Sequence, residues 1–333
     1  MLDERWSEDV ETIGDALRKL LSTECAPVNV RAAEAAADGR DPALEAQLDA
    51  FGLNELEADA ELFARIAYEL GRALAPTDHV ETMPVLALMG RSRIALAFDG
   101  PVPATVSSVA FAKGEKLLIA PLSGTPQRAA SGDWIVTPTL NEGVGEIAGD
   151  RDLAERLRRF LALVEAARLA GAAQALLAYG AAYAREREQF GKAIGSYQGV
   201  AHRLSRAAGE ADAAELLVRK AAFSALSAAG GDGAPAEHLA IMVRAKAIEA
   251  ARFVATNVHQ VFGGNGFALE YDVQLYSRRI RNWSNRGRRA SAELAELGRM
   301  VLEPARRDEL PGLWHYQRGL RLPRWAYEAD GGA

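Results

Sequence analysis

The sequence predicts a mainly α-helical protein with one small β segment in its middle, and three observations support this fold class. Apolar residues recur at helical spacing before residue 90 and again after residue 150. Between these parts lie short runs of β-forming residues separated by glycine and proline. The stretch 151–187 contains no proline and two glycines, so it predicts one long helix. The predicted order is an N-terminal helical domain, a short middle β domain and a C-terminal helical bundle.

Residues 1–90 are predicted to form the N-terminal helical domain. Apolar residues recur every three or four positions in Val10–Leu21, Leu44–Phe51 and Glu61–Leu74, as expected of helices with one buried face. Residues 1–61 carry 16 acidic against 5 basic side chains. We interpret this acidic excess as a solvated outer face.

Residues 91–147 are predicted to form a shortened β domain. The runs 103–111, 116–122 and 133–140 are rich in residues that favour strands, and glycine or proline punctuates the segment. The segment is long enough for a few strands but too short for a full closed barrel.

Residues 148–304 are predicted to form a four-helix bundle, because long helical patterns alternate here with short glycine-containing breaks. The predicted helices are 151–187, 196–229, 235–262, 271–283 and 287–302. The C-terminal tail, 305–333, is expected to lie across the bundle or a partner subunit. Its aromatic residues are Trp314, Tyr316, Trp325 and Tyr327.

Composition disfavours several classes of protein. The net charge of −6 is unlike that of most nucleic-acid-binding domains, so we expect no nucleic-acid partner. Cys25 is the only cysteine, which excludes a disulfide framework and a cysteine-built metal site, and the five histidines are too scattered to suggest another metal site. No signal peptide or long uninterrupted apolar run is evident, so a cytoplasmic protein without a membrane span is expected.

The first informative motif lies at the end of the long predicted helix. Arg187 is followed by Phe190-Gly191, and Gln198 then opens the next helix. An arginine near such a turn could pair with a phosphate through its forked guanidinium, and Phe190 could stack on a ligand. The alternative is an ordinary charged helix end with a buried phenylalanine and a glycine cap.

The second motif is Gln260–Phe267, in which three glycines surround Asn265. Glycine permits a close approach between backbone and ligand, and the amide of Gln260 could bond to an amide or purine edge. No strand precedes the motif and its spacing differs from a dinucleotide-binding fingerprint. A simple helix-terminating loop is the alternative.

Together the two motifs resemble those of the acyl-CoA dehydrogenase family over about residues 148–304. The shared patterns are R-x-x-F-G, a glutamine eight residues after the phenylalanine, and Q-x-F-G-G-x-G-F farther along. The helix–strand–helix order also matches the family. The resemblance implies FAD, an oligomer and α,β-dehydrogenation of acyl-CoA thioesters. The resemblance implies that Arg187 and Phe190 contact the pyrophosphate region of an FAD that belongs to a neighbouring subunit. It implies that Gln260 and Gly264 contact the adenosine half of that FAD.

The catalytic base implied by the resemblance is missing. The usual position corresponds to Gly287, and the alternative position on the first bundle helix corresponds to Leu161. Glu165, one helical turn farther on, is the nearest acid, and it could be a base or simply a polar bundle residue. The loop that holds the flavin ring in the family is also not found, and Asp133–Thr137 resembles the family's ring-contacting strand only weakly.

These departures make the chain similar to the shorter subunit of the heterotetrameric, α2β2 acyl-CoA dehydrogenases of steroid side-chain catabolism. That resemblance implies a second acyl-CoA dehydrogenase-like subunit that supplies the ring pocket and the base. It also implies a bulky acyl-CoA substrate and an electron-accepting flavoprotein. Two alternatives remain open, namely a self-sufficient homomeric dehydrogenase that uses Glu165, and a flavin-free structural subunit.

A dense basic run spans residues 278–289. Its charges could face CoA or FAD phosphates, or the acidic face of another chain. We expect a solvated or interface surface. The arginines are Arg278, Arg279, Arg281, Arg286, Arg288 and Arg289.

Overall fold

The N-terminal region, as far as the structure describes it, contains five helices. The computed structural model describes residues 5–36, 39–98, 100–140, 145–227, 232–287 and 289–303. Helices α3 and α4 begin where aspartates accept hydrogen bonds from backbone N–H groups, as Asp59 Oδ1 does from Leu62 N at 2.9 Å. The helices are α1 Glu8–Glu24, α2 Pro27–Ala35, α3 Pro42–Ala50, α4 Ala60–Arg72 and α5 His79–Met89.

Helices α2 and α5 were not individually predicted. Helix α5 continues through Pro84, near which the sequence pattern changes, and ends at the left-handed Gly90 (φ 66°). The first strand follows at Ile94.

The middle region forms two small sheets. In the first, the strand order is β1-β3-β4-β7, with β1 parallel to β3 and the other pairs antiparallel. In the second, the order is β2-β6-β5 and both pairs are antiparallel. The strands are β1 Ile94–Leu96, β2 Val102–Pro103, β3 Ser108–Lys113, β4 Lys116–Pro121, β5 Gln127–Arg128, β6 Trp134–Val136 and β7 Glu146–Asp150.

The C-terminal region is a bundle built on one helix of 36 residues, α6. By length and apolar composition α6 could cross a membrane, but 78% of its most apolar window is buried against the rest of the protein. The helices are α6 Arg151–Glu186, α7 Gln198–Ser227, α8 Glu237–Phe262, α9 Val273–Trp283 and α10 Ala290–Leu302. The predicted tail, with its four aromatic residues, lies outside the described residues. The mainly α fold with a small β segment is confirmed.

Helices α4 and α6 cross at backbone contact. A methyl group added to Gly171 would overlap the carbonyl oxygen of Tyr68, and one added to Gly71 would overlap the carbonyl of Arg168. Glycine is therefore required at both positions because there is no space for a Cβ atom. This crossing joins the N-terminal helices to the bundle.

Glu34 connects α2 to α9 through ion pairs. Its carboxylate pairs with Arg278 Nη2 at 2.9 Å and with Arg279 Nη1 at 2.5 Å. The Arg279 side chain is fully buried. A buried guanidinium is tolerated only when its charge is paired, so the contact between α2 and α9 depends on this carboxylate.

A second set of ion pairs joins α5, α6 and the β region. Glu81 Oε1 accepts hydrogen bonds at 2.6 Å from both Arg168 and Arg286. Arg286 Nη2 also donates to Asp133 Oδ2 at 2.9 Å. Burial opposes the ionisation of Asp133, but the nearby arginine charges outweigh it and lower the pKa of this carboxyl.

The expectation that the basic run 278–289 forms a solvated or partner-facing surface is therefore wrong for its buried members. Those arginines are neutralised by carboxylates of the same chain that are remote in sequence. Arg281 and Arg289 are exposed as expected, and Arg288 lies outside the described residues.

The close helix crossing predicts opposite effects for two glycine substitutions. Gly171→Ala should lower the free energy of unfolding by about 3 kcal/mol, because the α4–α6 contact must separate to admit a methyl group. The matched control is Gly209→Ala on the exposed side of α7, where a Cβ meets no described atom within 4 Å. It should raise the free energy of unfolding by about 0.5–1 kcal/mol through helix propensity. Urea denaturation measures both, and equal effects would contradict the proposed crossing constraint.

Candidate functional site

Arg187 stands where α6 ends and a short hairpin begins. Its backbone N–H donates to Tyr183 O at 2.9 Å, and its carbonyl accepts from Ile194 N at 2.8 Å. Strands β8 (Glu188–Gln189) and β9 (Lys192–Ala193) then pair around a two-residue turn. The Arg187 side chain is exposed and makes no ion pair within the described part of the chain. Its guanidinium is thus available to an anionic ligand.

Phe190 occupies the first position of the hairpin turn in a left-handed conformation (φ 54°), followed by Gly191 (φ 82°). The Phe190 side chain is 93% exposed and contacts the ring of Tyr197 edge-on, with centroids 6.5 Å apart. A buried phenylalanine at a helix cap, the alternative interpretation of this motif, is therefore wrong. A bulky residue with positive φ is strained, and its exposed ring indicates a role in contacting another molecule.

The second motif ends α8 with a single 3-10 turn, Gly263–Phe267. Gln260 is exposed on the last turn of α8, and Gly264 is open to solvent, with no described atom within 4 Å of a Cβ built there. Gly266 faces inward, where a Cβ would lie 2.9 Å from His259 Nδ1. Burial and the charge of Arg281 lower the pKa of His259, which keeps its ring neutral at physiological pH.

The structure brings the two motifs to the same end of the bundle. The amide Nδ2 of Asn265, within the glycine turn, donates to Tyr183 Oη at 2.8 Å. The Tyr183 ring stacks on Phe262 with centroids 4.0 Å apart. Because Tyr183 also accepts the Arg187 N–H, one residue contacts both motifs.

The bundle end offers the groups that an adenosine diphosphate requires. Arg187 provides a planar fork that matches phosphate oxygens, and the backbone at Gly264 is open to close approach. Gln260 provides an amide that can bond to an adenine edge. The four residues expected to contact FAD are thus exposed and their chemistry fits the ADP half of that cofactor. We call the surface of Arg187, Phe190, Gln260 and Gly264 the bundle-end surface.

A cleft of about 60 Å³ lies between the β region and the bundle. It is lined by Leu161 and Gly287, the two positions that correspond to family bases, and by Glu165. The structure therefore brings together all the candidate positions for a base.

Arg244 lines this cleft and pairs with two of its carboxylates. Its Nε donates to Glu165 Oε2 at 2.8 Å and its Nη1 to Glu293 Oε1 at 3.1 Å. Burial disfavours the charged guanidinium, but the charges and hydrogen bonds of the two glutamates outweigh burial and raise the pKa of Arg244. A Cβ at Gly287 would lie 2.7 Å from Arg244 Nη2, so a glutamate would not fit at position 287 without displacing Arg244.

The strand that weakly resembles the family's ring-contacting strand is β6, and its Trp134 lines a second cavity of about 40 Å³. On the opposite side, Arg168 lies over the ring of Trp283 at 4.6 Å from its centroid. The side chains of Trp134, Arg168 and Trp283 therefore line the space beside β6.

One carboxylate–histidine cluster was not foreseen from the sequence. Glu45, Asp78 and His79 place potential ligand atoms within 4.8 Å of one another. However, Asp78 pairs with Arg40 at 2.5 Å and His79 Nδ1 lies 2.6 Å from Thr77 Oγ1. Two of the three groups therefore already have polar partners within the chain.

Part of the chain matches a known protein family. Residues 158–283 match the family described as acyl-CoA dehydrogenase, C-terminal domain. The acyl-CoA dehydrogenase IpdE2 of Mycolicibacterium smegmatis is 29% identical over 308 residues, which cover 82% of this chain and 92% of the relative. Residues 158–283 thus match an acyl-CoA dehydrogenase C-terminal domain, and the chain is similar to an acyl-CoA dehydrogenase over most of its length. Acyl-CoA dehydrogenase FadE34 of Mycobacterium tuberculosis is 40% identical over 125 residues, 38% of this chain and 17% of that relative.

Two solved structures share the fold of this chain over nearly its whole length. A steroid acyl-CoA dehydrogenase, Tcur3481-Tcur3483, has a TM-score of 0.81 at 20% identity and covers 90% of this chain and 99% of its own. The ChsE4-ChsE5 complex of Mycobacterium tuberculosis has a TM-score of 0.78 at 19% identity, covering 91% and 99%. The acyl-CoA dehydrogenase fold expected from the sequence is confirmed.

The strained turn predicts that the chain is less stable with phenylalanine at position 190 than with asparagine there. Phe190→Asn should raise the free energy of unfolding by up to about 1 kcal/mol, because asparagine tolerates the left-handed conformation. Phe267→Asn is the control, since Phe267 is 85% exposed but lies outside the positive-φ region. It should leave stability within about 0.5 kcal/mol. A clear loss of stability in Phe190→Asn, measured by urea denaturation, would show that the ring packs in the free chain.

Proposed function

We propose that the chain is one subunit of a heteromeric, FAD-dependent acyl-CoA dehydrogenase, in which it binds the ADP half of an FAD shared with a second dehydrogenase-like subunit. One observation carries the proposal. The bundle-end surface is exposed and carries groups that suit an ADP, whereas Glu165, the acid nearest to the family's base positions, is paired with Arg244 in the cleft. FAD, when bound, supplies the acceptor for the substrate hydride.

The separation of the two regions supports a shared site. Leu161 in the cleft and Arg187 at the bundle end are 26 positions apart, which corresponds to about 39 Å along α6. That distance exceeds the length of one FAD molecule. An FAD held at the bundle end would therefore place its ring in a pocket outside this chain's own cleft.

The residues of this chain would bind and orient the cofactor rather than carry out the reaction. Arg187 would pair with the pyrophosphate, and Gln260 and Gly264 would hold the adenosine. The exposed ring of Phe190 would lie against the partner or the cofactor. The partner would supply the base that removes the substrate α-proton.

We propose a bulky acyl-CoA thioester as substrate, of the steroid side-chain class. Support comes from the fold neighbours, one named as a steroid acyl-CoA dehydrogenase and the other as a two-component complex. An α2β2 assembly and an electron-accepting flavoprotein complete the proposal.

Shared binding predicts that flavin depends on both subunits. The purified chain alone should be colourless, and a complex with its dehydrogenase-like partner should carry one flavin for every two chains.

Arg187→Ala should weaken FAD binding by the complex about tenfold to hundredfold, because charge-assisted hydrogen bonds are lost. Arg185→Ala, another exposed arginine at the same helix end, should have little effect. A flavin-free complex, or one insensitive to Arg187→Ala, would favour a purely structural subunit.

The position of Glu165 in the cleft supports a second candidate function, that of a homomeric dehydrogenase in which Glu165 is the base. If the partner supplies the base, Glu165→Gln should leave the turnover of the complex within about twofold, apart from any loss of folded protein. Glu293→Gln is the matched control, because it removes the other carboxylate from Arg244. Steady-state turnover of a CoA thioester, normalised to folded protein, tests this. A hundredfold fall in Glu165→Gln alone would establish the homomeric mechanism.

A further inference from the structure

Tyr183 lies one helical turn before Arg187 and makes separate contacts with both halves of the bundle-end surface. We infer that Tyr183 is a positioning residue that fixes the glycine turn relative to Arg187 and so sets the affinity for the ADP part of the cofactor. The inference rests on the proposed function. It assigns no contact between Tyr183 and the ligand.

The hydroxyl group of Tyr183 holds the glycine turn. It accepts the hydrogen bond from Asn265 Nδ2 at 2.8 Å, and Asn265 lies between Gly264 and Gly266. Glycine loses more conformational freedom on ordering than any other residue, so a turn this rich in glycine needs an external restraint. The restraint acts one residue from Gly264, where the adenosine half is proposed to bind.

The ring of Tyr183 is itself held in a defined orientation. It stacks on Phe262 at 4.0 Å with an angle of 13° between the planes. The ring of Tyr271 packs against it edge-on at 5.7 Å. With the ring held on two sides, the hydroxyl presents its oxygen in a fixed direction, which is what a positioning contact requires.

The backbone of Tyr183 holds the other half of the surface. Its carbonyl accepts the Arg187 N–H at 2.9 Å, the last hydrogen bond of α6 before the hairpin. One residue therefore sets where Arg187 leaves the helix through its main chain and where the glycine turn sits through its side chain. The distance between the pyrophosphate and adenosine contacts depends on both.

Tyr183→Phe tests the hydroxyl without disturbing the ring. In the two-subunit complex, stripped of flavin and titrated with FAD, we expect the Kd for FAD to rise about threefold to tenfold, the effect of losing one ordering hydrogen bond. The affinity for ADP, measured by competition, should fall by the same factor. The melting temperature of the flavin-free complex should stay unchanged, because water can replace the lost partner of Asn265.

Tyr179→Phe is the matched control. Tyr179 lies one turn earlier on α6, its ring also stacks on Phe262, at 5.3 Å, and its hydroxyl accepts from the backbone of Asp272 instead of the glycine turn. It should change the Kd for FAD less than twofold. Asn265→Ala should match Tyr183→Phe, and the double variant should be no weaker than either, since both remove the same hydrogen bond.

The outcomes separate this inference from the function on which it rests. If Arg187→Ala weakens FAD binding but Tyr183→Phe does not, the positioning role is overturned and the shared site stands. If neither variant changes the Kd for FAD, the proposed cofactor site itself is wrong. A Tyr183→Phe complex that melts lower in proportion to its lost affinity would show a purely structural role and overturn the inference.

Discussion

The pairing of buried arginines with carboxylates from distant segments is the constraint on which the rest of this structure depends. Glu34 joins α2 to α9, and Glu81 joins α5 to α6 and to Arg286 after α9. A buried ion pair adds little net stability over an apolar core, but breaking one leaves an uncompensated charge and costs about 3–5 kcal/mol. The N-terminal helices, the sheets and the bundle must therefore assemble together for the charges to be satisfied.

The same constraint shapes the chemistry that the chain can perform. Arg286 is fixed by Glu81 and Asp133, and it places the adjacent Gly287 at the wall of the cleft. There Gly287 meets Arg244, whose charge is neutralised by two glutamates. A base needs a carboxylate oxygen within reach of the substrate, and one oxygen of Glu165, Oε2, accepts a hydrogen bond from Arg244. The bundle-end surface, in contrast, lies at the other end of α6, where the Arg187 side chain is exposed.

Local patterns in the sequence predicted most of the fold. Helical periodicity and terminating glycines predicted α6 and α8 closely, because such signals act within a few residues. Helix α5 was not separately predicted, since Pro84 resembles a boundary although the helix accommodates it. The partners of the α9 arginines could not be predicted, because Glu34 lies more than two hundred positions away and no local pattern encodes such a pairing. The exposure of Phe190 could not be predicted because it depends on the hairpin that follows α6. That hairpin has only two paired positions, too few to produce the alternating pattern of a strand in the sequence.

The bundle-end surface carries features that give the isolated chain no advantage. Phe190 adopts a conformation that costs about 1–2 kcal/mol for a residue with a Cβ, yet its ring is almost wholly in water. Phe267 is also exposed, and the Arg187 guanidinium has no charged partner among the described residues. Strain and exposed aromatic area are recovered only when another molecule covers them. The hydrogen bond between Tyr183 and Asn265 restrains the glycine turn beside this surface. Under the proposed function, that restraint would lower the entropy lost when the cofactor and the partner subunit cover the surface.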